Sequence, residues 1–244
     1  MLRVLRWAAL GALLCPRVRH PAAFVMASTY LLPTLGRNAS WHGPVVNQFA
    51  AKGDEVWLTI DDGPLATCTP GLLEVLAEHG ARASFFCVGQ RVSAARELAR
   101  RIIDEGHTIE NHTYSHPAGF WWAMPPWLVD CEVRYGQHAI RTATGARPQF
   151  FRSPVGMNGP WLHGVAAREG LKVVGWSAAG NDGCPSAPSD IVGRILGSVK
   201  PGAIILLHEG DRPRHRRLAL QRVLESLHER GLRCVIPEAE AVEP

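Results

Sequence analysis

Leu58-Thr59-Ile60-Asp61-Asp62-Gly63-Pro64 is an apolar run that stops in two carboxylates and a turn. Val56 to Ile60 are β-branched or apolar with no turn residue among them, which reads as a short buried strand. Gly63-Pro64 ends it and turns the chain. Adjacent carboxylates at the end of a buried strand repel each other, so they need a cation or a hydrogen-bond network. Asp-Gly-Pro is also good turn chemistry by itself. The stretch alone therefore leaves a solvated turn and a site equally open.

The chain around it repeats one pattern. Strands are expected at 56–60, 83–88, 108–111, 149–152, 172–176, 203–207 and 233–236. Helices are expected between them: 70–79 with Thr69 as N-cap, one capped by Ser93 and ended by Gly106, then 126–144, 160–169, 189–198 and 214–230. Seven strands alternating with helices predict a mainly parallel sheet. Without a Gly-x-Gly-x-x-Gly turn, an incomplete barrel is favoured over a nucleotide-binding sheet. The expected organisation is an α/β barrel over 46–244 preceded by an apolar, basic, helical arm over 1–45.

Charge separates those two parts. The chain of 244 residues carries a net +4, yet no Asp or Glu precedes Asp54, where Arg3, Arg6, Arg17, Arg19, Arg37 and Lys52 already stand. The remainder holds 20 basic and 22 acidic side chains, which argues against a nucleic-acid footprint on the folded domain. Residues 7–15 and 21–35 are apolar, and each is shorter than the roughly 18–20 residues of a membrane-spanning helix. Arginines flanking such runs suit an interfacial or paired-helix anchor on an anionic membrane, so membrane association is expected, with the side unassigned. A signal peptide with Val25-Met26-Ala27 at its cleavage point, or an extra helical layer packed on the domain, are the other readings. The six cysteines form no Cys-x-x-Cys pair, which disfavours a cysteine zinc site.

Polar residues follow the strand ends: Asp61 and Asp62, His112 and His116, Arg152, Asp182, and His208. In a parallel barrel these ends open on one face, where barrel enzymes place their chemistry. Two histidines at i and i+4 beside a carboxylate suit a divalent metal with an open position, the arrangement for metal-assisted hydrolysis. Either histidine alone would read as an ordinary one. Two adjacent carboxylates divide the roles of ligand and base. Arg152 would hold the non-ligating carboxylate ionised, or form a plain ion pair. Asp182 would orient Arg152, or belong to an Asn-Asp-Gly turn. His208 is placed to protonate a leaving amine.

At this point the residues resemble a known family, the polysaccharide deacetylases of the NodB-homology type, carbohydrate esterase family 4. Thr59-Ile60-Asp61-Asp62-Gly63-Pro64, His112-Thr113-Tyr114-Ser115-His116, Arg152-Ser153-Pro154-Val155-Gly156, Trp176 to Asp182, and Leu206-Leu207-His208 resemble its five motifs in order, across roughly residues 55–237. The resemblance implies a distorted (β/α)7 barrel and a metal-dependent amide hydrolase. It implies Asp61 as base, Asp62, His112 and His116 as ligands of one divalent ion, His208 as acid, and Arg152 with Asp182 tuning the base. It further implies the Val155 amide at the oxyanion. Zinc is the expected ion, with cobalt, nickel or manganese accepted. Val155, Ser153, Gly183 and Glu209 stand where the family often has an aromatic residue, Pro, Trp and Asp. The substrate-facing positions therefore differ while the metal and acid–base set is intact.

Phe120-Trp121-Trp122-Ala123-Met124-Pro125-Pro126-Trp127 follows the second motif. Tryptophans stack sugars and also favour membrane–water interfaces. With Trp176, Trp121 and Trp122 are candidate substrate-facing residues. The expected reaction removes an N-acetyl or similar acyl group from an amino sugar of a polysaccharide, glycolipid or lipid-linked saccharide. A deformylase or another amide hydrolase on a small or lipid-linked substrate is the alternative. A silent sugar-binding relative would be expected to lose a ligand or the base, and none is lost.

Overall fold

The nine-residue strand β1, Glu55–Gly63, lies at the middle of the sheet and is buried along nearly its whole length. A computed structural model describes residues 32–243 together with residues 21, 25, 28 and 29. Its further strands are β2 (Ala83–Cys87), β3 (Thr108–Asn111), β4 (Phe150–Phe151), β5 (Lys172–Val173), β6 (Ala178–Ala179), β7 (Ile204–His208) and β8 (Arg233–Cys234). The helices are α1 (Thr69–Glu78), α2 (Gly89–Ala94), α3 (Arg96–Asp104), α4 (Pro126–Thr144), α5 (Leu162–Arg168), α6 (Pro188–Leu196) and α7 (Pro213–Glu229). The sheet runs β5-β4-β3-β2-β1-β7-β6, with β8 against the first two residues of β1. Every pairing between these strands is parallel. Parallel strands covered on both faces need continuous apolar sequence, which is what Val56 to Ile60 supply.

The barrel is incomplete in a specific way. The strand expected over 172–176 stops at Val173 as β5, and a strand that was not expected, β6 at Ala178–Ala179, takes the opposite edge of the sheet. Between them the chain crosses the opening, and the main chain of residues 46–48 stitches the gap. Val46 N–H donates to Val173 O at 3.0 Å, Gly175 N–H donates to Val46 O at 2.8 Å, and Gln48 bridges Ala203. A Cβ on Gly175 would stand 2.2 Å from Asn47 Oδ1, so the crossing needs glycine. Asn38 N–H reaches Gly156 O at 2.8 Å and Arg37 bridges Met157, so the segment before residue 46 is already tied to the barrel. Residues 1–20 and most of 21–31, where the arm was expected, lie outside the described residues. Among the described residues no helix is long and apolar enough to cross a membrane.

Two expected caps are not used. α1 begins at Thr69, whose hydroxyl accepts Leu65 N–H at 2.8 Å and donates to Glu209 Oε2 at 2.6 Å. Ser93 falls inside α2, and α3 starts after Ala95. Gly145 ends α4 at φ 77°, the left-handed conformation that a glycine adopts without penalty. Inside the barrel Trp57 meets Phe150 edge-on at 5.0 Å and donates its indole N–H to Ser84 Oγ at 2.8 Å. This packing fixes the strands whose far ends carry the polar residues.

Candidate metal and acid–base site

Because the strands are parallel, their carboxyl ends share one face. There the structure brings together Asp61, Asp62, His112, His116, Arg152, Asp182 and His208. Asp62 Oδ1 lies 3.7 Å from His112 Nε2 and 3.3 Å from His116 Nε2. These three donors all lie within 4.8 Å of one another. Ligand atoms at about 2.0–2.1 Å from a tetrahedral zinc sit about 3.3–3.4 Å apart, so the set is near the size of one ion's shell. Two further observations fit a cation. Asp62 Oδ1 is buried without a hydrogen-bond partner. His112 Nδ1 lies 2.8 Å from Arg152 O, a bond that puts its proton on Nδ1 and leaves the Nε2 lone pair for a metal. Burial, and then the neighbouring His112, push His116 down to about 4, so its imidazole is neutral, the form that ligates. Asp62 is held below its ordinary value: burial raises it, but His112, His116, His208 and Arg91 together outweigh that.

Asp61 has a different environment. Its Oδ1 accepts Arg152 Nη1–H at 2.7 Å, and its Oδ2 is 3.8 Å from His112 Nε2. Arg152 is fully buried and every part of its fork is occupied: Nη1 also donates to Thr59 Oγ1 at 2.7 Å and Nη2 to Gly175 O at 2.7 Å. Its guanidinium stands 4.1 Å from the Phe86 ring centroid. A buried guanidinium so held keeps Asp61 fixed and leaves one carboxylate oxygen free.

Asp182 does not orient Arg152. Its Oδ1 pairs with His208 Nδ1 at 2.7 Å, and its Oδ2 accepts His208 N–H at 2.8 Å and Arg216 Nη1 at 3.0 Å. The reason is topological: β6, which leads to Asp182, pairs β7, which ends in His208, while Arg152 leaves β4 on the other side. His208 is raised above its ordinary value. Burial lowers it, yet the hydrogen bond and charge of Asp182, with Asp61 and Asp62, outweigh burial and favour the protonated imidazole.

Val155 sits in a single 3-10 turn, Pro154–Gly156, at φ 51° and ψ 14°. Amides in a first turn have no partner within their helix, so its N–H is available. Asp62 (φ 73°), Thr113 (φ 68°) and His116 (φ 57°) share this left-handed backbone. For β-branched Thr113 and Val155 such angles are held only by surrounding structure, as occurs at functional sites. Trp176 packs over Gly156, where a Cβ would meet its ring at 2.5 Å, so it supports the Val155 turn. Trp121 is no sugar platform: it is 2% exposed and donates its indole N–H to Met157 O at 2.9 Å. Trp122 is half-buried beside Gly159.

Two positioning residues escape sequence reasoning. Glu132 on α4 holds the loop between His112 and His116. Its Oε2 accepts Tyr114 N–H at 2.9 Å and Ser115 N–H at 2.8 Å, and its Oε1 accepts the Ser115 hydroxyl at 2.7 Å. Arg91 on α2 donates to the main-chain oxygen of Asp62. Each is an ordinary charged residue on an amphipathic helix, and nothing in the sequence marks it.

A parallel, incomplete barrel with a His-His-Asp donor set beside an Arg-held carboxylate and an Asp-held histidine defines a metal-dependent hydrolase of the amide-cleaving type. The chain belongs to the polysaccharide deacetylase family, whose pattern matches residues 50–174. It is 37% identical over 183 residues to a chitooligosaccharide deacetylase from Bradyrhizobium sp. (strain ANU 289), covering 75% of this chain and 83% of that one. It is 32% identical over 190 residues to a peptidoglycan-N-acetylglucosamine deacetylase from Bacillus cereus, covering 74% of this chain and 66% of that one. Among solved structures it resembles a family 4 carbohydrate esterase from Streptomyces lividans in complex with acetate. That match has a TM-score of 0.71 and 30% identity and covers 78% of this chain and 96% of the other.

Proposed function

We propose that this protein is a divalent-metal-dependent N-deacetylase acting on an N-acetylated amino sugar. The observation that carries the reading is the divided pair of carboxylates: Asp61 is locked to buried Arg152, while Asp62 Oδ1 stands unpartnered between two imidazoles. Asp62, His112 and His116 would hold the ion, and a nitrogen-nitrogen-oxygen set suits zinc. Such an ion supplies polarisation of the amide carbonyl and a lowered pKa for water. The free oxygen of Asp61 takes a proton from the attacking water, while Arg152 keeps its other oxygen in place. The Val155 N–H faces the oxygen on which charge develops. His208 Nε2 gives its proton to the leaving nitrogen, and Asp182 holds Nδ1. Water adds to the acyl carbon, the C–N bond breaks, and acetate and a free amine leave.

The lipid-linked form of the substrate is part of this proposal. Its support is the sequence of residues 1–31, apolar, basic and without an acidic side chain. The test is acetate release from N-acetylglucosamine oligomers by the zinc-loaded protein and by Asp61→Asn. The variant should keep its metal and lose about 100-fold or more of its rate, as general-base removal does. Normal turnover by Asp61→Asn would remove Asp61 as base. Release of formate in place of acetate from matched substrates would favour the deformylase alternative.

A further inference from the structure

Six of the ten large apolar side chains exposed among the described residues fall on neighbouring segments. Trp41, Phe120, Trp127, Leu128, Val155 and Trp161 are between 39% and 66% exposed; Val155 and Trp161 lie in the loop 155–162, and the others stand on segments tied to it. Asn158 Nδ2 donates to Ala39 O at 3.3 Å and brings the Trp41 segment against that loop. Trp121 Nε1 donates to Met157 O and brings Phe120 there. Trp127 and Leu128 open α4 just after Met124, which shares one apolar cluster with Trp121 and Leu162. Val155 belongs to the loop itself and carries the amide assigned to the oxyanion. The rim therefore flanks the mouth of the metal site.

The same segments avoid carboxylates. Residues 32–53, 117–129 and 153–168 contain no Asp or Glu, in a chain that has 22. Of their charged residues, Arg37 adjoins the loop, Arg168 is paired with Asp130 at 2.9 Å, and Lys52 lies beside Glu55 at the other end of β1 from the site. A monomer seldom exposes a contiguous apolar patch of this kind without a partner for it. A sugar platform needs one or two ring faces with polar neighbours. This rim adds Leu, Val and Phe, and Asp130 at its edge is ion-paired to Arg168 and Arg134. That is the chemistry of a bilayer interface with anionic headgroups, where tryptophans sit at headgroup depth and acids are repelled. Residues 1–31, with Arg3, Arg6, Arg17 and Arg19 and no acid, join the described chain at Leu32, five residues before Arg37 bridges Met157 on the rim.

We infer that this rim docks on an anionic lipid surface, so that the mouth of the metal site faces the headgroups and receives a sugar carried there. The docking is independent of the chemistry; only the delivery of a sugar rests on the deacetylase reading. The experiment uses the full chain and vesicles of phosphatidylcholine with phosphatidylglycerol whose acyl chains are brominated, which quench tryptophans that reach them. The variants are Trp127→Ser with Leu128→Ser, and separately Trp161→Ser. Leu218→Ser is the control: it is an exposed apolar side chain, 39% accessible, on α7. Each rim variant should weaken vesicle binding about tenfold or more, the order expected for losing one or two inserted apolar side chains. The control should bind like the wild type. Turnover of a soluble N-acetylglucosamine oligomer should be retained in every variant.

Unchanged vesicle binding in both rim variants overturns the inference. Loss of soluble-oligomer turnover in step with binding also overturns it and assigns the rim to glycan stacking. Self-association of the wild type that the rim variants abolish overturns it in favour of a second copy of the chain. If the wild type itself releases no acetate from the oligomer while the binding pattern holds, the docking stands and the deacetylase reading fails.

Discussion

Replacing Asp182 by Asn removes one charge from a site where it holds His208 and Arg216. Asp182 takes His208 Nδ1–H at 2.7 Å on one oxygen, and His208 N–H at 2.8 Å and Arg216 Nη1 at 3.0 Å on the other. An amide keeps the shape and one acceptor. Its NH2 must then face either Arg216 and the His208 main chain, donor against donor, or the Nδ1 that now carries a proton. His208 is raised because the Asp182 hydrogen bond and charge, with smaller help from Asp61 and Asp62, outweigh burial. Asn removes the two largest of the raising influences, so the His208 pKa falls. An acid must be protonated to act, and activity is lost as pH rises through its pKa. The high-pH limb of kcat/KM should therefore move to lower pH. A charge-assisted hydrogen bond is worth about 1.5–3 kcal/mol, which corresponds to about a 10- to 150-fold loss of rate near neutral pH. The assay is acetate release across pH at saturating metal, with bound metal measured in parallel and expected to be unchanged. A high-pH limb that stays in place while the low-pH limb moves would refute the reasoning, because it would return Asp182 to the base.

Glu132→Ala removes three hydrogen bonds from the loop between the metal histidines, and zinc affinity measured by chelator competition should fall about 10- to 100-fold, the usual effect of a supporting partner. Arg152→Met leaves Asp61 buried and unpaired and should destabilise the fold by about 3–5 kcal/mol in urea, whereas adding Asp61→Asn to it should recover part of that loss. Burial raises Glu209 from 4.5 to about 7, although the Thr69 hydroxyl and Leu65 N–H pull the other way. A carboxyl raised on folding binds its proton more tightly in the native state, so stability should decline as pH rises between about 4.5 and 7. Glu209→Gln should flatten that decline in urea midpoints taken across the range.

The parts of the site that could be read in the sequence are those fixed by strand ends. Asp61-Asp62 stop an apolar run and His112 follows the short strand 108–111, and a parallel sheet must bring such strand ends together. What escaped depends on which strands become neighbours. Nothing local says that β5 and β6 take opposite edges; Gly175 alone hints at the break, and only the close approach of Asn47 explains it. That same crossing decides that Asp182 meets His208 and not Arg152. Trp121 reads like its exposed neighbours because an irregular loop has no period that separates inward from outward. Glu132 supports the metal loop from 16 residues beyond His116, through a helix face whose partner only packing reveals.

The account is tested most directly by diffraction from crystals grown with zinc, using anomalous differences on either side of the zinc absorption edge. It predicts one peak within about 2.0–2.2 Å of Asp62 Oδ1, His112 Nε2 and His116 Nε2, with Asp61 still on Arg152. A peak absent from that position, or one ligated by Asp61 while Asp62 turns away, would contradict it.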